Sequence, residues 1–247
     1  MTSPPIYAFD SGPNLKVSVG FADIAKLIVQ AASSITAGFS KSSNLSGEML
    51  LHNILPGFTG RSFRHLLNNL SNFEDCVYLE VGSYCGSSLI SSLYGNYNQI
   101  KHAYAIDNWS EFNEGDDPKG VFKKNLDTFI PGFKEDKLTV IEADCFSIDV
   151  SEEIKEKANV NFYDGHHSKE SQKKAFTYFN DALCDTFITV IDDWEKGAVR
   201  EGTFEAFSEL GYKILAQWQI FPADREKRLE HPDINWWHGI ALFVIKK

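Results

Sequence analysis

The segment Val77-Tyr78-Leu79-Glu80-Val81-Gly82-Ser83-Tyr84-Cys85-Gly86-Ser87-Ser88, with Ile106-Asp107 downstream, constrains this chain more than any other feature. A short apolar run enters a turn that holds two glycines, and small residues open a helix behind it. A second apolar run then ends in an acid. Such a unit presents backbone to one end of a nucleoside and a carboxylate to its ribose hydroxyls. Glycine spacing narrows the ligand. A dinucleotide fingerprint needs glycine at the first, third and sixth positions, here Gly82, Tyr84 and Ser87, and it fails at Tyr84 and Ser87.

The pattern that is present, Glu-x-Gly-x-x-x-Gly-x-Ser from Glu80 to Ser88, resembles that of the class I S-adenosylmethionine-dependent methyltransferases. The methionine end of that cofactor carries no phosphate, so the turn needs close backbone approach and no anion nest. Gly82 and Gly86 lack the side chain that would block it. Asp107 suits the two ribose hydroxyls as a bidentate acceptor. The resemblance implies cofactor contacts at Glu80, Gly82, Ser83, Tyr84, Gly86, Ser88, Asp107, Asn108 and Trp109, and further along at Asp144, Cys145 and Asp164. The residues alone also admit a plain strand-to-helix turn, with Asp107 as a cap for the next segment.

Composition bounds the alternatives. The chain has 247 residues, enough for one large domain or a domain with an N-terminal extension. Apolar residues make up 43% and charged residues 23%, ordinary for a soluble globular protein. A net charge of −10 argues against a polyanion bound over a wide surface, so no nucleic-acid partner is expected. The Asn-Pro-Pro-aromatic motif of amino-directed base methylation is also absent from the sequence. Cys76, Cys85, Cys145 and Cys184 show neither paired metal spacing nor disulfide-scaffold density. No basic-then-apolar leader and no membrane-length apolar run occur, so a cytoplasmic protein with no membrane partner is expected.

The first dozen residues read as an irregular arm. Phe21 to Phe39 carries Ile24, Leu27, Ile28, Ala31 and Ile35 at helical spacing, and Gly47–Leu55 and Ser62–Leu70 read as two more helices. Residues 1–72 are thus a helical preface, which could cover a substrate mouth, make a homo-oligomer contact or simply pack on the sheet. Residues 73–247 alternate strand and helix. Strands are predicted at Val77–Val81, Ala103–Ile106, Leu138–Glu142, Val160–Tyr163, Phe187–Ile191, Tyr212–Gln217 and Gly239–Ile245. Helices are predicted at Ser88–Leu93, Pro118–Phe129, Ser151–Lys157, Ser168–Leu183 and Val199–Leu210. Buried β-branched runs between helices imply a parallel sheet. The last two strands have no helix between them and should be antiparallel. The expected fold is therefore α/β: a Rossmann-like, seven-stranded, mostly parallel sheet with an antiparallel C-terminal hairpin and helices on both faces.

Three strand ends carry acids or histidines: Glu142-Ala143-Asp144, Asp164-Gly165-His166-His167 and Asp192-Asp193-Trp194. Ligands of open parallel sheets bind at the carboxyl ends of strands, so all three should face one crevice with Gly82 and Asp107. Asp144 is an adenine contact by resemblance and a helix cap by its local sequence. Asp164, Asp192 and Asp193 would repel one another without a cation or protons between them. Hard oxygen donors suit Mg²⁺, Mn²⁺ or Ca²⁺. Here the chain resembles the metal-dependent O-methyltransferases of the catechol and macrocin types, in which an Asp after the fourth strand and an acid-acid or acid-amide pair after the fifth hold Mg²⁺. The plainer alternative is one cap and two surface carboxylates.

His166 and His167 are the candidate general bases, since histidine titrates near neutral pH. Macrocin-type enzymes carry an Asp where His166 stands, and catechol-type enzymes a Lys where His167 stands. Of the two, His166 is slightly favoured as the base. Trp109 is placed beside the adenosine, Trp236 and Trp237 at a substrate mouth, and Asp224–Arg228 in a solvated loop. The expected reaction is Mg²⁺-assisted methylation of a hydroxyl on a sugar or catechol-like diol. A metal-independent methyltransferase and a non-catalytic cofactor-binding protein are its rivals.

Overall fold

The computed structural model describes residues 19–37, 40–41, 54–112, 117–221 and 236–247. Seven strands form one sheet: β1 (Cys76–Val81), β2 (Ile100–Asp107), β3 (Leu138–Glu142), β4 (Ala158–Tyr163), β5 (Leu183–Ile191), β6 (Lys213–Ile220) and β7 (Ile240–Lys246). Their order is β3-β2-β1-β4-β5-β7-β6. Strands β1 to β5 pair in parallel, while β7 runs antiparallel to both β5 and β6. The expected architecture is observed, including the terminal hairpin.

The sheet is buried on both faces because its strands alternate between two apolar layers. On β1, Val77, Leu79 and Val81 join one cluster, while Cys76 and Tyr78 join the other. The first layer packs under α7 (Lys169–Thr177) and α8 (Gly197–Leu210), with Phe176, Phe207 and Phe243 in edge contact. The second lies under α1 (Val19–Thr36), α2 (Arg61–Leu70) and α3 (Ser87–Leu93). Leu27, Ala31, Phe63, Leu66 and Leu70 share that cluster with strand residues, so the described part of the N-terminal preface packs as a layer of the sheet domain. Among the described residues no helix is long and apolar enough to cross a membrane.

Boundaries differ where burial gave the sequence no signal. Strands β2 and β5 begin at Ile100 and Leu183, earlier than predicted, because polar, partly exposed residues (Lys101 and His102 in β2, Asp185 and Thr186 in β5) separate those buried first residues from the apolar runs that follow. The stretch expected to be helical from Ser151 to Lys157 keeps only α6 (Val150–Glu153), capped by Asp149 accepting from Ser151 N and Glu152 N. Helix α7 ends at Thr177, and Leu183 belongs to β5. Two short elements, α5 (Phe133–Asp136) and a 3₁₀ turn at Asn180–Ala182, were not anticipated. Helix α4 spans Pro118–Phe129 as predicted, with Asp117 accepting from Gly120 N. The helix expected at Gly47–Leu55 lies almost wholly outside the described residues, as do the N-terminal arm and the Asp224–Arg228 run.

The turn after β1 depends on Gly82. Its φ is 88°, and a Cβ there would stand 2.0 Å from the Asp164 carbonyl oxygen. The glycine is therefore needed for β1 and β4 to end side by side, ahead of any ligand. At Gly86, φ 84°, a Cβ would meet only side chains, the Phe122 ring at 3.0 Å and Ile90 at 3.1 Å. Gly82→Ala should cost about 2–4 kcal/mol through strain and displacement of β4. Urea unfolding checks this; a loss below about 1 kcal/mol would mean the turn relaxes freely.

Candidate active site

Parallel strands all present their carboxyl ends to one rim, and the order reverses between β1 and β4, which opens a crevice there. A cavity of about 950 Å³ occupies that place. It is lined from every strand end singled out in the sequence: Gly82 and Tyr84 after β1, Asp107–Trp109 after β2, Asp144 and Cys145 after β3, Asp164–His167 after β4, Asp192 and Asp193 after β5.

Asp107 is held rigidly. Its Oδ2 accepts from Tyr84 N (2.8 Å) and its Oδ1 from Trp109 N (2.7 Å). Trp109 Nε1 donates to Tyr84 O (2.8 Å), which ties the ends of β1 and β2 together. Tyr84 and Trp109 both adopt left-handed backbone, at φ 46° and 49°. Each Asp107 oxygen keeps a lone pair for a further donor. Asn108 braces the following turn by accepting from Ser110 N at 3.0 Å. Asp144 accepts from Phe146 N (2.8 Å), so it forms an Asx turn and also lines the cavity. Burial pushes the Cys145 thiol up to about 12, which keeps it protonated.

Four expected cofactor contacts do not line the cavity: Glu80, Ser83, Gly86 and Ser88. Glu80 is fully buried beneath α3, where Tyr78 Oη donates to Oε2 (2.7 Å) and Ser88 Oγ to Oε1 (3.0 Å). These residues fasten the β1 end to α3, and Ser83 O accepts from Gly86 N (2.7 Å) to close the turn. The strand alternation that sends Val81 one way sends Glu80 the other.

The acids of β4 and β5 converge. Asp164, His167 and Asp192 each offer one ligand atom, all within 4.8 Å of one another. Asp193, expected in that set, instead faces His167 Nε2 (3.3 Å) and touches Lys196 Nζ. His167 Nε2 is 3.6 Å from Asp164 Oδ1. Burial raises the carboxyl pKa values of Asp164 and Asp192, and their acidic neighbours raise them further. Burial lowers that of His167 against the pull of Asp193. Asp192 is 6% exposed, and its Oδ1 has no hydrogen-bond partner among the described residues. An orphaned buried carboxylate oxygen beside a second acid and an imidazole is a donor set that fits a divalent cation. His166 is exposed and accepts from Ser168 N at 3.3 Å, outside this group. Of the two histidines, His167 is the one that faces the acids.

Sequence reasoning placed Trp237 at a mouth but missed Phe58 and Phe112. Phe58 lies 5.5 Å from Tyr84, 5.7 Å from Phe112 and 6.1 Å from Trp237, ring to ring. Phe58 and Phe112 are 53% and 66% exposed, large apolar surface open at the cavity. Trp237 joins them, while Trp236 packs against the core. Phe58 sits in a loop remote in sequence, and no local pattern marks it. Lys196 and His238 also line the cavity; His238 Nδ1 lies 2.7 Å from Glu195 Oε1.

No protein-family model matches the chain, and no curated protein matches it in sequence. Solved structures do. A candidate caffeoyl-CoA O-methyltransferase from Staphylococcus aureus superposes with a TM-score of 0.56 at 17% identity, over 92% of this chain and 100% of that one. TYW2 from M. jannaschii, solved with AdoMet, has a TM-score of 0.51 at 15% identity over 81% of each chain. A candidate SAM-dependent methyltransferase from Streptococcus mutans has a TM-score of 0.51 at 12% identity, over 76% of this chain and 48% of that one. The chain has the class I methyltransferase fold. Within that fold, the open crevice at β1 and β4 is the one that holds Asp107 and the acid cluster.

Burial pushes Glu80 up to about 7 despite its two hydrogen bonds. Between its ordinary value of 4.5 and about 7 the unfolded chain ionises while the folded one holds the proton, so stability falls as pH rises through that window. Glu80→Gln keeps the neutral form. Its stability relative to the parent should therefore rise by roughly 3 kcal/mol between about pH 4.5 and 8 in urea titrations. A pH-independent difference would show that Glu80 ionises as it does in water.

Proposed function

We propose that this protein is an S-adenosylmethionine-dependent methyltransferase acting on a hydroxyl of a small molecule with the help of a divalent cation. The observation that carries this reading is the arrival of a rigid carboxylate, Asp107, and the Asp164–Asp192 pair at one cavity in the class I methyltransferase fold. The likeness to a candidate caffeoyl-CoA O-methyltransferase, over nearly the whole chain, supports hydroxyl oxygen as the acceptor atom.

The cofactor, when bound, supplies a sulfonium methyl open to nucleophilic attack. Asp107, fixed by two backbone donors, would receive the ribose hydroxyls without reorganising. Tyr84, Trp109, Asp144 and Cys145 flank it in the cavity. Asp164 and Asp192 would hold the cation, which lowers the pKa of a bound hydroxyl. His167 is the base. Burial disfavours its charged form against the pull of Asp193, and Nε2 faces the acids while Nδ1 is buried. Phe58, Tyr84, Phe112 and Trp237 would shield the acceptor from water and keep it aligned. A sugar or catechol-like diol suits two oxygens on one cation.

The 4.8 Å grouping favours a second reading, in which His167 is itself a ligand. A lost ligand weakens metal binding, whereas a lost base leaves it intact and removes turnover.

Calorimetry with S-adenosylhomocysteine tests the cofactor site. Micromolar binding that Asp107→Ala weakens by roughly a hundredfold is expected; no binding to the parent protein would end the methyltransferase reading. With catechol and a methyl glycoside as acceptors, His167→Ala should lower turnover by about a hundredfold or more, and His166→Ala by less than about threefold. The opposite ranking would return the base to His166.

A further inference from the structure

The acid cluster carries a cation of its own. Asp193 has left-handed backbone at φ 51°, and Lys196 N donates to Asp193 O (2.9 Å) to close the turn. Trp194 anchors that turn: it is fully buried, and its Nε1 donates to Gln219 Oε1 at 3.0 Å. Arg200 Nη1 donates to Trp194 O (2.6 Å) and pins it from α8. The turn thereby returns the Lys196 side chain to Asp193, where Nζ meets Oδ2, the oxygen that also faces His167. Among the described residues no lysine or arginine pairs with Asp164 or Asp192, and Asp192 Oδ1 has no hydrogen-bond partner there.

We propose that Lys196 is a built-in counter-ion that holds Asp193 and competes with a divalent cation for it. Asp164 and Asp192 are then the oxygens offered to the metal, and Lys196 sets how tightly the metal is held. The proposal rests on the metal-assisted reading of the site. An ammonium in contact with one of three acids cancels one of their charges and repels an incoming dication. The Lys196 side chain is 46% exposed, so its ammonium can turn to water, whereas the Asp193 side chain, 6% exposed, then needs another cation in its place. The pair would keep the cluster folded when no metal is present and make metal affinity moderate by construction.

The probe is Mn²⁺ alone, titrated at constant ionic strength and followed by loss of the free-ion electron paramagnetic resonance signal. Lys196→Met should bind Mn²⁺ roughly tenfold more tightly than the parent. Adding Asp193→Asn to Lys196→Met should cancel that gain, because Asp193 is what the lysine withholds. Asp192→Asn should abolish binding, while Asp193→Asn alone should change it less than about threefold. Lys196→Gln gives the same reading should the methionine variant fail to fold. An unchanged or weaker affinity in both Lys196 variants overturns the proposal, as does loss of binding in Asp193→Asn alone. S-adenosylhomocysteine binding in the same samples separates the two levels. Cofactor binding without Mn²⁺ binding in any variant overturns the counter-ion and leaves the methyltransferase reading standing; absence of both overturns the two together.

Discussion

Ionised carboxylates repel one another, and the sheet of this protein gathers them at one rim. Asp107, Asp164, Asp192 and Asp193 all stand at the ends of parallel strands, so all reach the same crevice. Each is managed by a different device. Asp107 accepts two backbone N–H groups. Asp193 has Lys196, and His167 stands between Asp193 and Asp164. Asp192 alone is left buried with an orphaned oxygen, and the raised pKa values of Asp164 and Asp192 record the cost of that arrangement. A molecule without use for the cluster would be more stable with one acid replaced by an amide.

The surroundings are stiff where the acids need to be held and apolar where a ligand would enter. Gly82 lets β1 end against the Asp164 carbonyl, and Glu80 with Tyr78 and Ser88 ties the following helix to the strand. Trp194 and Arg200 fix the Asp193 turn. Facing this frame, Phe58, Phe112 and Trp237 bring aromatic surface from separate loops. Rigid acids beneath an aromatic mouth make a site that orients a polar group while it excludes water.

Much of the fold was legible because its strands are short apolar runs separated by helical stretches. The predicted span Pro118–Phe129 matches to the residue, and in the structure Asp117 caps it while Phe122 and Leu126 are buried. Where strands pass through the exposed rim, as at Lys101 and His102, polar residues hide the pairing and the boundaries move. Helix α6 is shorter than its sequence suggests because the chain turns extended at Ile154, whose side chain is buried in the core. In the site, the acids were legible from their place at strand ends, whereas the position of Glu80, Ser83, Gly86 and Ser88 off the cavity wall was not. Residues one position apart on β1 face opposite layers, and the motif itself does not say which layer holds the ligand.

By itself the sequence determined the alternation of strands and helices, the terminal hairpin and the set of acids that share one edge, because periodicity and chain order dictate these. Only the tertiary structure decided which neighbours those acids have. His167 rather than His166 turns toward them, Lys196 takes Asp193, and Phe58 crosses from a distant loop to the mouth. Such pairings depend on rotamers, on a left-handed turn and on loops that meet through packing, and none of these leaves a periodic trace along the chain.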